Sequence, residues 1–341
     1  MTSPEVRSPT DLSALSWRYL LGKAWKEFTW DTCLDLGAVL TFHAVLSIFP
    51  ALLALVGLLG LVGQAKPTTG ALLAIVESVA PSSAVTTLRQ PLEQLVSSPS
   101  AGLALIGGVA LAIWSASGYV RAFSRAMNRI YEVDEGRPVW TYFPVMLLVT
   151  VALLVLVAAI GLLLVVAGPV ARALGNLVGL GNTAVVIWDI ARWPLLVVLA
   201  VVTLALLYYA TPNVKLPKFS WISMGAGIAL VLMTAASVGF SFYVANFSNY
   251  NKTYGTIGGV IVILLWGWIL NLAVLFGAEF DSEAERAREL QAGIAAEENL
   301  QLPVRDDRAI KAKKAQEKRE IDLGRLVREE AEASETADRS R

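Results

Sequence analysis

Asp31, Asp35, His43 and Ser47 fall at multiples of four positions, which places them on one slowly spiralling stripe of an α-helix. His43 is the single histidine of the chain. Two chemistries fit it: a proton-sensitive or substrate-contacting imidazole in a polar cavity, and a neutral imidazole bonded to a neighbouring helix. A second stripe opens with Trp114, Ser115, Ser117 and Gly118, whose small members allow close helix approach. It continues at Arg121, Arg125 and Arg129, four residues apart each time. Asn271 is a lone amide in an apolar run, suited to bonding across helices. His43, Ser47, Ser115, Ser117 and Asn271 therefore form a candidate polar pathway. Asp31, Asp35, Arg121, Arg125 and Glu279 form a candidate charge cluster, because arginines at the edge of an apolar layer need acceptors. The other reading of each arginine is a side chain that reaches lipid phosphate by itself. Asp189 and Arg192, three apart, are expected to pair with each other.

The same inventory limits enzymatic readings. A zinc or two-metal hydrolytic site wants several converging His, Cys, Asp or Glu ligands, and the chain has one histidine and one cysteine, Cys33. No phosphate-cradling Gly-x-x-x-x-Gly-Lys-Ser/Thr loop and no Gly-x-Ser-x-Gly elbow occurs. No catalytic residue, metal or cofactor is expected, and no nucleic-acid partner. A lone cysteine allows no intramolecular disulfide.

The elements that must position these residues are long and apolar. Hydrophobic residues make up 55% of the chain and charged ones 16%. Apolar runs cover about 36–63, 101–120, 142–168, 184–210, 220–246 and 256–280, and about 20 such residues cross a bilayer core. The expected fold is all-α: a polytopic membrane protein with six transmembrane helices in a domain over 36–280. Before it, residues 1–35 form an arm in which Trp17, Leu21, Trp25 and Phe28 recur at helical spacing. That arm reads either as an amphipathic interfacial helix on the inner leaflet or as a helix packed on the protein's own face. After it, 281–341 holds 13 of the 28 bases and 16 of the 28 acids and reads as a charged, partly disordered tail. Ten bases flank the spans on the side of both termini and five lie opposite, so both termini are expected in the cytoplasm. The long connection 64–100 carries four prolines and is expected to cap the outer side. Gly255 and Gly259 give a small-xxx-small pattern at the start of the last span.

Four stretches carry a resemblance: LTFHAVLSIFP (Leu40 to Pro50), WSASGYVRAFSRAMNRIY (Trp114 to Tyr131), YYATPNVK (Tyr208 to Lys215), and Phe242 to Asp281 with NYNKTYGTIGGVIVILLWGWILNLAVLFGAEFD. In these the chain resembles the YihY/BrkB family of bacterial inner-membrane proteins, over about Trp25 to Asp281. The resemblance implies six transmembrane helices in the inner membrane and a link to envelope integrity or export of amphipathic molecules. Members once carried a ribonuclease label, against which the ligand count argues here. The expected function is movement, direct or assisted, of a lipid-like or amphipathic substrate, with membrane lipids as partners. The alternative is a non-transporting envelope scaffold that binds partners, and a membrane-embedded enzyme or ribonuclease comes third. Oligomeric state is left open.

Overall fold

The computed structural model describes residues 12–61, 101–165, 182–216, 219–246 and 250–339. These residues form eight helices: α1 (Ala14–Trp30), α2 (Cys33–Leu61), α3 (Ala101–Ile130), α4 (Val139–Val165), α5 (Asn182–Ala210), α6 (Phe219–Asn246), α7 (Tyr250–Gln291) and α8 (Arg308–Arg339). The fold is all-α, and among the described residues β-structure amounts to one isolated bridge, Val214 with Val304. Five helices, α3 to α7, are long and apolar enough to cross a membrane, and α2 adds an apolar helix whose described surroundings extend to Ser47. The protein is therefore a multi-pass membrane protein. The expected cap over 64–100 and the environment of Gly255 and Gly259 lie outside the described residues.

Local chemistry sets the helix ends. Ser13 caps α1 by accepting the Ser16 N–H on its Oγ at 3.1 Å. Thr32 adopts φ 54° between α1 and α2, and Glu132 adopts φ 55° just after α3. Such left-handed positions reverse the chain where a helix would otherwise run on. Pro144 and Pro194 sit inside α4 and α5.

The six long helices close a ring. α3 packs along α2, α4 bridges α3 and α5, α5 meets α6, α6 lies along α7, and α7 returns to α2. Glycines permit the tightest crossings: a β-carbon on Gly37 would lie 2.7 Å from Leu272 Cδ2, and one on Gly277 would lie 2.5 Å from the Gly225 carbonyl oxygen. α1 lies on α7 with Leu20 and Ala24 buried, Trp17 against Phe280, and Trp25 and Phe28 against Phe276. Leu15 and Leu21 remain exposed.

α7 runs unbroken past residue 280, the expected end of the last span. Its 42 residues measure about 63 Å at 1.5 Å per residue, roughly twice a hydrocarbon core, so its end must project from the membrane. Glu279, Asp281, Ser282, Glu283, Glu285, Arg286 and Glu289 are all buried there. Residues 300–306 then return to the bundle, where the Lys215 N–H bonds to Pro303 O and the Arg305 N–H to Asn213 O. Charge alone makes 281–306 look like tail; Glu283, Glu285, Arg286, Arg288 and Glu289 are instead held by partners at the packed end.

Candidate functional site

The packed end of the ring is a polar network built on three hubs. Asn213, fully buried, follows α5 in the YYATPNVK stretch. Its N–H donates to Asn128 Oδ1 at 2.7 Å, and its side-chain amide donates to the carbonyls of Asp134 and Asp306. Arg137 donates to both Glu135 carboxylate oxygens, to Ser124 Oγ and to the Thr211 carbonyl, and its guanidinium lies 5.1 Å from the Tyr142 ring. Arg286, fully buried on α7, pairs with Glu283 at 3.0 Å and Glu132 at 2.7 Å and donates to the Ala296 carbonyl. Buried charges persist where their hydrogen-bonding groups are satisfied in this way.

Above these hubs an aromatic column closes the bundle. Tyr119 stacks on Phe123 and Phe123 on Tyr208, whose hydroxyl donates to the Val274 carbonyl. Tyr119 OH donates to Asn271 Oδ1 at 2.9 Å, and Asn271 Nδ2 donates to Thr41 Oγ1 at 3.1 Å. Farther along, burial stops. Among the described residues no position is buried on α2 from Phe42 to Ser47, on α3 from Ile106 to Leu111, on α5 from Val186 to Thr203, on α6 from Leu230 to Val244, or on α7 from Val260 to Leu270. Leu163 on α4 is the exception. A filled bundle buries its inward side chains along its whole length; here, among the described residues, burial concentrates at the polar end and thins beyond it.

At the rim of the polar end a cleft of about 510 Å³ is lined by Arg125, Asn128, Arg129, Glu132, Val133, Asp134 and Glu135. Its acids Glu132 and Glu135 are already engaged by Arg286 and Arg137. Arg129 reaches Asp31 at 3.5 Å. Burial pushes the Asp31 carboxyl up to about 6, against the opposing pull of Arg129.

The residues anticipated from sequence divide accordingly. Asp31 joins the arginine stripe, but through Arg129, one turn beyond Arg125. Glu279 is buried and accepts a hydrogen bond from Cys33 Sγ at 3.3 Å, apart from the arginines. Arg121 turns to α4: Nε donates to the Ser117 carbonyl, and the guanidinium lies 4.9 Å from the Phe143 ring and 5.7 Å from that of Trp114. Asp35 is exposed in the first turn of α2, where a carboxylate suits the helix dipole. His43 packs beside Gly118, whose missing β-carbon would lie 2.9 Å from Nδ1. Ser115 Oγ donates to the Leu46 carbonyl across the same α2–α3 seam, while Ser47 and Ser117 bond to carbonyls of their own helices. Asp189 and Arg192 do pair, at 3.8 Å. Asn213, Arg137 and Arg286 were not singled out beforehand. A Pro-Asn pair reads as a turn, and an arginine outside an apolar run reads as solvated until its partners are known. Among the described residues no three His, Cys, Asp or Glu side chains are grouped to hold a metal.

A family model described as virulence factor BrkB matches residues 24–300. The chain belongs to the BrkB family. Among BrkB-like relatives, the "Putative ribonuclease-like protein YfkH" of Bacillus subtilis (strain 168) is 29% identical over 253 residues, 74% of this chain and 90% of that protein. A "UPF0761 membrane protein" of Alkalilimnicola ehrlichii is 30% identical over 257 residues, 75% of this chain and 56% of the relative's length. A protein of the same description from Vibrio campbellii is 27% identical over 270 residues, 78% of this chain and 81% of the relative. No solved structure matches the chain. The BrkB match runs through α1 to α7 and reaches Leu300, so it takes in the buried end of α7 as well as the spans.

Proposed function

We propose that this BrkB protein moves, or helps to move, a lipid-like or amphipathic substrate across the bacterial inner membrane in support of envelope integrity, with its polar end and both termini in the cytoplasm. The observation that carries the reading is the one-sided burial. A ring of helices closed by Tyr119, Phe123 and Tyr208 at one end, with burial thinning over several turns beyond, supports a route that an acyl chain can enter. His43, Ser47 and Ser115 stand at the level where packing gives way and supply polar contacts for a headgroup. The bases flanking the polar end support the orientation. The name "ribonuclease-like" stays with the relative that bears it.

A second reading, a non-transporting scaffold for envelope partners, draws on the saturation of Asn271 by Thr41 and Tyr119. The two separate in liposomes. Purified protein is reconstituted with fluorescent phospholipids and other amphipaths, and translocation is followed for wild type, His43→Ala and Arg121→Ala, with and without a proton gradient. Translocation that falls in the His43 variant is expected. Absence of movement across the lipid panel with correctly inserted protein overturns the transport reading and leaves the scaffold.

A further inference from the structure

α8 is a 32-residue helix, about 48 Å long, with every position from Lys311 to Glu330 exposed. It nevertheless carries large apolar side chains at its middle: Leu323, Leu326 and Val327 are 62%, 59% and 69% exposed. Charge divides the helix about the same point. Arg308 to Arg319 holds six bases and one acid, whereas Glu320 to Glu335 holds six acids and two bases. A helix that exposes leucines at its centre and bears opposite charges on its two halves is complementary to itself turned end for end.

We propose that α8 pairs with α8 of a second copy of this chain as an antiparallel coiled coil, making the protein a dimer. Arg319, Leu323, Leu326 and Glu330 are spaced four, three and four residues apart, the seam of a seven-residue repeat. In an antiparallel pair centred between Gly324 and Arg325, Leu323 meets Leu326 of the second copy and Arg319 meets its Glu330. The centre falls within about one residue of the middle of α8, so the two helices overlap along nearly their whole length. Among the described side chains Arg319 and Glu330 take part in no ion pair within α8, while Lys311–Asp307, Lys313–Glu317, Arg325–Asp322 and Arg328–Glu332 are paired along the same chain. Ile321 lies off this seam and has no part in it.

The test uses the full chain in detergent, with mass measured by light scattering across a concentration series. Wild type is expected to dimerise. Arg319→Glu and Glu330→Arg are each expected to weaken the dimer roughly tenfold or more by setting like charges across the seam, and the double variant to recover most of it. A wild type that stays monomeric, or single variants that dimerise as wild type does, overturns the proposal. Direction is tested by mixing Leu323→Cys chains with Leu326→Cys chains under mild oxidation. Cross-links between the two kinds are expected to exceed those within either kind. Preferential cross-linking within each kind would mean a parallel pair and overturn the antiparallel assignment.

Discussion

Asn213 pairs with the backbone of Asp306 through both ends of its side-chain amide: Nδ2 donates to the Asp306 carbonyl at 2.9 Å, and Oδ1 accepts the Asp306 N–H at 3.2 Å. One side chain thus substitutes for a strand partner and fastens the segment after α7 to the loop after α5. Asn213→Ala removes both bonds and leaves buried backbone groups without partners, a loss on the order of 2–4 kcal/mol. A lower unfolding temperature in detergent is expected, with faster proteolysis between residues 292 and 307. Protection equal to wild type would show that the segment docks without this pair.

Gly136 reaches the same contact by a different route. A β-carbon there would overlap the Asp306 carbonyl oxygen and lie 2.8 Å from Asn213 Nδ2. Gly136→Ala should therefore release the segment without deleting any hydrogen-bonding group. Gly161→Ala is the control, since its β-carbon meets nothing within 4 Å and alanine favours a helix interior by about 1 kcal/mol over glycine. Thermal unfolding of the two variants should shift in opposite directions.

Arg286 neutralises two carboxylates that belong to different parts of the chain, Glu283 on its own helix and Glu132 after α3. Arg286→Ala leaves Glu283 buried beside an empty volume, and breaking one side of a buried pair costs about 3–5 kcal/mol. Poor recovery of monodisperse protein on size-exclusion chromatography is expected. Glu132→Gln, which keeps an acceptor for Arg286 and leaves Glu283 in place, should recover much better than Arg286→Ala.

Asp31 makes stability fall as pH rises. Its folded-state pKa of about 6 lies above the ordinary value of 3.8, because burial outweighs the attraction of Arg129. The folded state then holds an extra proton between these values, so the stabilisation is complete below about pH 4 and is lost as pH rises through 6. Asp31→Asn keeps the shape and cannot ionise. Its unfolding temperature should match wild type at pH 4 and exceed it at pH 7. A difference that stays constant across that range would mean that Asp31 titrates alike in folded and unfolded chains.

Apolar run lengths were sufficient to find the helices that cross the membrane, because only helices satisfy their backbone within one segment in hydrocarbon. The small residues Ser115, Ser117 and Gly118 likewise point to a close helix approach, and His43 of α2 occupies the room that Gly118 leaves. The partners of the charges were another matter. Helical periodicity tells which residues share a face but not how far one helix is shifted along its neighbour. Arg129, one turn of about 5.4 Å along the stripe, meets Asp31 in place of Arg125, and Arg121 faces Phe143 on α4 in place of Glu279 on α7. Composition made the chain after residue 280 look solvated, since charge far from an apolar run carries no sign of burial. Only the tertiary structure, by bringing Asn213, Gly136 and Glu132 to meet that segment from distant parts of the chain, decided that residues 281–306 belong to the packed end of the bundle.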